Sequence, residues 1–584
     1  MSDDLLLSLL WFLPFVGAMV VLLLPKESDK AIKGVSLGIT LATFVLAILA
    51  YRTYVSSPTA SASMIERSQN NSVKAYEEGG LATEVFENVP GRTSGEKDLL
   101  VRRPWIPYFN IQYYLGIDGI SLSLVLLTGL VSTLACLASF SIEKSIKGYF
   151  ALFLMLLGSM MGVFMSLDLV LFYVFFEVML LPMYFLIAVW GGENREYAAI
   201  KFLLYTLFGS VFILVAILAL YFGGGDSSVP VMINGAEFKG HTFDVVLLTQ
   251  AMSADVSWYG RSIQQLIFVM FFIGFCVKLP SFPFHTWLPD AHVQAPTPIS
   301  MILAGVLLKI GGYGLVRLAW PLAPAGAYDW SYPVAALGVF SILYGALAAM
   351  AQTDFKKLVA YSSVSHMGYC TLGMAVMNIA DPRYYAYGVN GCMFMMIAHG
   401  ITSTGMFFLV GVIYERTHTR DLKKLGGLLN LMPLYGAITI LIFFGSMGLP
   451  GLCGFVAEVF VVLASFNYSP VLAVLAAAAV ILTAGYILWT LQRVLLGAPG
   501  EATHHHPLPE LTVRETIIAI PLVAFTVILG VFPQSLMSWM SPSVDESVRM
   551  VAKAVNRSGS DTAKKLAVVP PVVRPTPADA AAGE

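Results

Sequence analysis

Five ionisable residues stand inside long apolar runs of this 584-residue sequence, where charged side chains are rare: Glu177, Lys278, Lys309, His366 and Glu458. An ionisable side chain at the centre of a lipid bilayer costs at least about 2.5–3.5 kcal/mol on insertion scales, so such residues are candidates for function. Their types indicate the binding and transfer of protons.

Glutamate, lysine and histidine together can form a proton relay. Burial in a medium of low dielectric constant lowers the pKa of a lysine and raises the pKa of a glutamate, so that each can exchange a proton near neutral pH. Histidine titrates in that range without a shift. A carboxylate beside a lysine favours the charged ammonium, and moving that carboxylate away would release the proton. The alternative is a set of static ion pairs that orient helices, and five such residues in five different runs favour the relay.

Four further residues are weaker candidates for the same path. His399 also lies inside an apolar run, whereas Lys201 lies near the start of one and can extend its ammonium to the membrane surface, which favours a structural role. His285 and His292 flank Asp290 in a proline-rich string that could suggest a metal site. No third strong ligand follows at helical spacing, so we expect polar lining at the cytoplasmic mouth instead.

The sequence predicts no cofactor and no metal ion bound by this chain. Its five cysteines fall within apolar runs and include no C-x-x-C pair, which argues against zinc, iron–sulfur clusters and disulfides. It contains no Walker A motif and no glycine-rich dinucleotide motif between a strand and a helix. A net charge of -2 without any block of basic residues argues against nucleic acid as a partner.

These candidates must be positioned by membrane helices. The chain is 57% hydrophobic and 12% charged, about half the charged fraction of ordinary soluble domains. Its apolar runs are about 20 residues long, enough to cross a bilayer as a helix. We therefore predict an all-α, polytopic membrane protein of about fourteen spans, numbered in chain order: 5–24, 32–50, 119–140, 149–167, 169–189, 199–222, 263–285, 298–319, 333–351, 357–379, 390–414, 432–466, 471–493 and 515–534.

The remaining segments are polar. Residues 105–115 alternate enough to predict a short hairpin inside an extramembrane insert, and the Ala- and Pro-rich end, 568–584, is expected to be disordered. The predicted organisation is two N-terminal spans in 1–50, the insert in 51–118, the third span in 119–148, a first repeat in 149–320, a second repeat in 333–497, the last span in 498–540 and a polar tail in 541–584.

Two spans are predicted to be broken. Span seven contains Pro280 and Pro283, and span twelve contains Gly448, Pro450 and Gly451. Proline removes a helical hydrogen bond and clashes with the preceding turn. The two breaks lie five spans apart, and an odd spacing means that the corresponding helices run in opposite directions. We therefore predict two inverted five-helix repeats, spans four to eight and nine to thirteen, with a transport path at the breaks.

The orientation follows from lysines and arginines in short loops, which favour the cytoplasm. Fourteen lie on the side reached after the first span. The other side carries four: Lys239, Arg261, Arg317 and Arg383. We therefore expect both chain termini on the non-cytoplasmic side.

Several segments of the chain resemble signature motifs of the antiporter-like subunits of respiratory complex I. The likeness covers most of residues 115–500, and the string Pro-Phe-His-Thr-Trp-Leu-Pro-Asp-Ala-His, residues 283–292, is highly specific. The insert has no familiar match in that family. The matching segments are 176–187, 278–292, 294–298, 308–315, 360–369 and 414–420.

The resemblance implies one proton path along the five buried residues, with Glu177 and Lys278 as its control pair. Glu458 indicates one particular branch of the family, because sister subunits usually carry lysine there. The resemblance also implies a multi-pass protein of the bacterial inner membrane, next to other antiporter-like and small membrane subunits of one complex. Electron transfer to quinone would then occur in other chains.

Two other functions stay open on the sequence alone. The chain could belong to a multi-chain cation/proton antiporter or a membrane-bound hydrogenase, which share this ancestry. It could also be a purely structural membrane scaffold.

Overall fold

Long apolar helices make up most of the protein. The computed structural model describes residues 2–56, 99–223, 231–233, 236–238, 241–253, 259–504 and 508–558. Within these ranges, twelve helical segments are long and apolar enough to cross a membrane, and the predicted all-α polytopic fold is confirmed. They are spans one to nine, eleven, thirteen and fourteen: Asp3–Leu23, Asp29–Val55, Gly119–Ser141, Ile146–Met165, Leu169–Trp190, Arg195–Gly223, Arg261–Lys278, Thr297–Leu322, Ser331–Met350, Pro382–Thr417, Pro470–Leu495 and Val513–Val531.

The other two predicted spans are also helical. Span ten is the helix Phe355–Ala375, whose serines and histidine make it more polar than its neighbours. Span twelve consists of two shorter helices, Pro433–Met447 and Cys453–Tyr468. Every predicted run thus has a helical counterpart, while the number of membrane crossings and the inverted repeats remain predictions.

Polar caps set the start of several spans. Asp118 accepts a hydrogen bond from the backbone N–H of Ser121 at 3.0 Å and forms a capping box with it. Asp168 caps span five, and Asp354 caps span ten. A carboxylate there satisfies backbone N–H groups that have no partner within the helix. Asp118 and Asp168 therefore act as helix caps.

The helices divide into an inner and an outer set. Spans eight and eleven are buried along their whole apolar windows, whereas only 28% of the window of span two is buried. Spans one, two, six, thirteen and fourteen carry most of the exposed large apolar side chains. The outer helices therefore present the lipid-facing surface, and the ionisable residues lie on helices of the interior or face it.

A β-hairpin precedes span three. Strand β1, Leu100–Ile106, pairs antiparallel with strand β2, Ile111–Gly116. The buried guanidinium of Arg102 pairs with Asp244 at 2.7 Å and fixes the hairpin to the loop after span six. The hairpin predicted over 105–115 therefore begins earlier, at Leu100, and residues 57–98 of the insert lie outside the described residues.

The loop between spans six and seven contains further short elements. Two strands, β3 (Val231–Ile233) and β4 (Ala236–Phe238), pair antiparallel. The helix Val245–Ser253 follows. Other short helices lie outside this loop: Pro107–Phe109, Trp287–Gln294, Pro324–Asp329, Leu428–Leu431 and Glu501–His504.

The prediction of a polar tail from residue 541 onward is wrong for residues 541–558. Residues Gln534–Ser558 form a helix that packs against the start of span three, where Ser543 accepts a hydrogen bond from the backbone N–H of Gly119 at 2.9 Å. Its apolar side chains recur every three or four residues and form one stripe, so no long apolar run marks it in the sequence. Residues 568–584 lie outside the described residues. The buried stripe consists of Leu536, Met540, Val544, Val548, Val551 and Val555.

Candidate functional site

The break in span seven ends its first helix at Lys278. Pro280 has no N–H to give to the carbonyl of Cys276, and the N–H of Ser281 takes its place at 3.1 Å. The indole N–H of Trp287 then donates to the carbonyl of Val277 at 2.8 Å. Backbone groups released by the break are therefore satisfied within span seven, and Lys278 stands at the last helical residue.

Lys278 is buried, and its ammonium has no hydrogen-bond partner among the described residues. It lies 5.1 Å from the ring centroid of Phe176 and 5.4 Å from that of Phe202. The negative faces of aromatic rings attract a cation at such distances. Two rings thus hold the charge where a counter-ion would be expected.

Glu177 is the neighbouring carboxylate. It follows Phe176 near the end of the first helix of span five, Leu169–Val178, and it is the residue whose charge acts on Lys278. Its Oε1 is buried and has no hydrogen-bond partner among the described residues. No ion pair within 4.0 Å joins Glu177 to Lys278, and the structure describes both residues. Glu177 and Lys278, the predicted control pair, are thus neighbours that do not form an ion pair.

Lys309 lies between two π-helical turns of span eight, Leu303–Leu307 and Leu315–Ala319. In the first turn, the N–H of Leu308 bonds to the carbonyl of Leu303, five residues back, and so leaves the carbonyl of Ala304 available. The Lys309 ammonium donates to that carbonyl at 2.5 Å. Its Nζ also lies 2.7 Å from Nδ1 of His399. A local change of helix type therefore holds a fully buried lysine against span eleven.

His399 leads on to His366 of span ten, since the two ring centroids are 5.4 Å apart. His366 contacts two backbone carbonyls, with Nδ1 2.7 Å from Ser362 and Nε2 2.8 Å from Ser446. A carbonyl oxygen only accepts, so both contacts are hydrogen bonds only when both ring nitrogens carry a hydrogen. In a neutral His366, one of these two contacts therefore lacks its hydrogen.

The carbonyl of Ser446 is free because of the break in span twelve. Its helical partner would be residue 450, which is a proline without an N–H. The chain turns through Gly448 and Gly451, whose φ angles of 78° and 90° favour glycine. The predicted break at Pro450 is confirmed by the gap between the two helices of span twelve.

Glu458 lies against this break. It is buried, and its carboxylate fills the space beside Gly448, where a β-carbon would collide with it. Its Oε1 has no hydrogen-bond partner among the described residues. Its charge acts on the buried hydroxyls of Tyr369 and Tyr486. The structure thus places Glu458 beside the turn that supplies a carbonyl to His366.

The weaker candidates have different environments. The Lys201 ammonium is 2.7 Å from the carboxylate of Asp290, and both side chains are partly exposed, in keeping with a structural ion pair. His285 and His292 are buried, so their predicted place as lining of an open mouth is wrong. His285 lies 3.3 Å from the hydroxyl of Tyr344, because the turn after Pro283 directs it inward.

The structure therefore brings the candidates together in two groups. Lys309, His399 and His366 are in contact, with Glu458 at the adjoining break, while Glu177 and Lys278 form the other group. Leu279 packs against Gly311 between the groups, so apolar contact separates them. Sequence reasoning missed the carbonyls of Ala304 and Ser446. Only that of Ser446 had a signal, since a proline stands four residues later.

Among the residues that the structure describes, no three histidines, cysteines or acidic residues are placed to hold a metal ion. The expectation that this chain binds no metal or cofactor stays a prediction.

Broken helices with buried lysines, histidines and glutamates define a class of membrane protein that moves ions through its interior. Residues 166–483, more than half of the chain, match the family described as "NADH:quinone oxidoreductase/Mrp antiporter, TM". The NADH-quinone oxidoreductase subunit M of Rhodobacter capsulatus is 38% identical over 550 residues, which cover 93% of this chain and 96% of that protein. The chain belongs to the NADH-quinone oxidoreductase subunit M family.

Solved structures share the fold. A chain of respiratory complex I from Thermus thermophilus with bound NADH superposes with a TM-score of 0.75 and 28% identity, over 93% of this chain and 99% of that one. A chain of the Mrp complex from Dietzia sp. DQ12-45-1b gives a TM-score of 0.70 at 20% identity, over 98% of this chain and 58% of that one. The second likeness shows the fold alone.

Proposed function

We propose that this chain is a proton-translocating subunit in the membrane arm of an NADH–quinone oxidoreductase and carries no redox centre of its own. The supporting observation is the buried contact of Lys309 with His399, beside His366, at the centre of the helix bundle. NADH oxidation and quinone reduction belong to other chains, in line with the names of the subunit M relatives.

The first part of the path is the Glu177–Lys278 pair. When the carboxylate approaches Lys278, it favours the charged ammonium, and when it moves away, the buried lysine releases its proton. The open arrangement leaves the ammonium on two aromatic rings, which stabilise it less than a carboxylate would. Movement of Glu177 therefore controls whether Lys278 keeps its proton.

Lys309, His399 and His366 form the central part of the proposed proton path. While Lys309 is charged it can only donate, so Nδ1 of His399 accepts and its Nε2 carries the hydrogen. Passing the lysine proton to Nδ1 gives a neutral amine and an imidazolium. That imidazolium can then give its Nε2 proton to a water molecule that reaches this nitrogen, which has no hydrogen-bond partner among the described residues. His366 and Glu458 are the next groups along the bundle.

The remaining parts of the proposal concern assembly and orientation. The loop charges favour an orientation with both termini on the non-cytoplasmic side, and the membrane would be a bacterial inner membrane. Neighbouring antiporter-like and small membrane subunits would cover part of the exposed apolar helices. Spans four to eight and nine to thirteen would be inverted repeats, because Pro280 and Pro450 each mark a break in the corresponding helix.

A cation/proton antiporter subunit is the second candidate, favoured by the common fold with the Mrp chain. The chain could also serve in a membrane-bound hydrogenase or as a structural scaffold. The first proposal has more support, since relatives of 35–40% identity over most of the chain bear the subunit M name.

Proton uptake by the assembled complex in proteoliposomes, driven by its electron donor, tests the proposal. Lys309→Ala should reduce uptake at least about tenfold, because positioned proton-transfer groups contribute roughly 10²–10⁴-fold. Lys423→Ala, which changes an exposed loop lysine, is the matched control. Uptake at the wild-type rate in a correctly assembled Lys309→Ala complex would show that protons do not pass through this site. Proton uptake that is lost only when Na⁺ is removed would favour the second candidate, a cation/proton antiporter subunit.

A further inference from the structure

The short helix Trp287–Gln294, which follows the break in span seven, ends at four backbone carbonyls that accept hydrogen bonds from four different segments. The last carbonyls of a helix have no partner within it, so other groups must supply the donors. Ser300, at the start of span eight, donates to the carbonyl of His292 at 3.1 Å. The N–H of Gly192, in the loop after span five, donates to the carbonyl of Gln294 at 2.9 Å. This helix end therefore joins spans five and eight.

Two cations hold the other two carbonyls. Arg420, in the loop after span eleven, donates to the carbonyl of Val293 at 2.7 Å. Lys356, in the first turn of span ten, is buried and donates to the carbonyl of Ala295 at 2.5 Å. A positive charge at the C-terminal end of a helix is favourable, because the helix dipole is negative there. The same helix end is thus fixed to spans ten and eleven as well.

Arg420 makes several further contacts. Its guanidinium lies 3.3 Å from the carboxylate of Asp354, which caps span ten, and 5.2 Å from the ring centroid of Tyr414 near the end of span eleven. Its own carbonyl accepts from the N–H of Phe355 at 2.8 Å. A planar guanidinium can bind a carbonyl and a carboxylate while it stacks on a ring, which a lysine ammonium cannot do. Arg420 therefore fixes the adjoining ends of spans ten and eleven to the helix Trp287–Gln294.

The loop after span five packs closely on the same helix. The second helix of span five, Leu180–Trp190, ends at Gly191, where a β-carbon would lie 3.0 Å from the carbonyl oxygen of Gln294. The N–H of Asn194 donates to Oε1 of Gln294 at 3.1 Å. A displacement of span five therefore acts on the helix that Arg420 holds.

The helix Trp287–Gln294 thus links spans that carry different groups of the site. Span five carries Glu177, whereas span ten carries His366 and span eleven carries His399. His399 contacts Lys309 at 2.7 Å. Inside the bundle, apolar packing separates the two groups. At the predicted cytoplasmic end, hydrogen bonds connect the spans on which they lie.

We propose that Arg420 is a positioning residue that couples a displacement of span five to spans ten and eleven. This inference rests on the proposed function and adds a mechanical link between its control pair and its central part. Packed helices move as units by small shifts. When span five moves with Glu177, the helix Trp287–Gln294 moves with it, and Arg420 carries the ends of spans ten and eleven along. The distance between Lys309 and His399 then changes with the position of Glu177.

Substitution of Arg420 tests the link in the assembled complex in proteoliposomes. Arg420→Met removes the guanidinium and should reduce donor-driven proton uptake at least about tenfold, because a remote change that misplaces a reacting group by about 1 Å can cost as much as a hundredfold. Arg420→Lys keeps one donor for the carbonyl of Val293 and should retain part of the uptake. Lys423→Met, which also replaces a cation with methionine at an exposed position of the same loop, is the matched control.

A double variant separates positioning from a merely structural role. Changes at distant, independent sites have additive free energies, so their fractional losses of uptake multiply. If Arg420 passes on the movement of span five, Glu177→Asp should lower uptake in the wild-type background and have little further effect in Arg420→Lys. Combined with the control Lys423→Met, Glu177→Asp should cost as much uptake as it does alone.

The outcomes separate the two proposals. Wild-type uptake in assembled Arg420→Met, or losses that multiply when Arg420→Lys is combined with Glu177→Asp, would overturn this inference. The proposed function would still stand if Lys309→Ala is inactive, whereas wild-type uptake in Lys309→Ala would overturn that function itself. If Arg420→Met fails to assemble, the double variant with Arg420→Lys decides alone.

Discussion

Neutralising Glu177 should stop the pump, because Lys278 has two possible sets of partners of similar strength. Each aromatic ring near its ammonium, at 5.1 and 5.4 Å, contributes about 0.5–2 kcal/mol. An ion pair with Glu177 at 4 Å would contribute about 4 kcal/mol at an effective dielectric constant of 20. The two arrangements are thus within a few kcal/mol of each other, as a switch requires.

Glu177→Gln removes the charge that favours the paired arrangement. A loss of about 4 kcal/mol shifts the balance roughly a thousandfold toward Lys278 on its rings or toward its neutral amine. Moving one charge across 100 mV costs about 2.3 kcal/mol, so a change of this size is enough to stall turnover against the gradient. Glu177→Gln and Lys278→Ala should each reduce proton uptake and coupled quinone reduction at least about tenfold. Glu177→Asp keeps the charge and should be milder.

The assay is proton uptake into vesicles by the assembled complex, driven by its donor, with donor oxidation followed in parallel. Glu196→Gln, at an exposed glutamate near the start of span six, provides the control. Uptake at the wild-type rate in both Glu177→Gln and Lys278→Ala would mean that the pair is structural and that the path lies elsewhere.

Four further predictions concern the second break, the hairpin and the orientation. Glu458→Gln should lower proton uptake in the same assay, less than Lys309→Ala if water bypasses Glu458, and full activity would remove Glu458 from the path. Gly448→Ala should lower the thermal midpoint of the purified complex, because a left-handed non-glycine residue costs roughly 1–2 kcal/mol and its β-carbon would meet the Glu458 carboxylate. Asp244→Ala should expose the hairpin to protease, since breaking a buried pair costs about 3–5 kcal/mol, and unchanged protection would show that Arg102 is held by other contacts. Arg420→Cys should react with an impermeant thiol reagent from the cytoplasmic side, and labelling from the opposite side would reverse the orientation.

Sequence features predict those parts of the site that depend on local chemistry. Pro280 and Pro450 each remove a helical hydrogen bond, because a proline lacks an N–H, and therefore favour a break. Lys309 had to be buried, since apolar residues surround it on all sides of one helix. The long apolar runs predict membrane-spanning helices, because a helix needs about 20 apolar residues to cross a bilayer.

Other features depend on contacts between distant segments. Phe202 lies on span six, and nothing near it in sequence indicates that its ring supports Lys278. The π-helical turn that frees the carbonyl of Ala304 lies against span eleven, where a β-carbon on Gly305 would meet Thr404. The helix Gln534–Ser558 is visible only as an amphipathic stripe, which a search for long apolar runs does not detect.

The two breaks give the two halves of the bundle different ways to hold a proton. At span seven, Ser281 and Trp287 satisfy the freed carbonyls, so the adjacent Lys278 has only aromatic rings and a movable carboxylate. At span twelve, no backbone N–H among the described residues replaces that of Pro450, and His366 contacts the carbonyl of Ser446. A hydrogen-bonded imidazole keeps its geometry while a proton passes. A lysine held by aromatic rings instead changes its affinity for a proton whenever the carboxylate moves. Under the proposed function, control therefore belongs at the first break and conduction at the second, so that a common type of helix break would serve two unlike groups of residues.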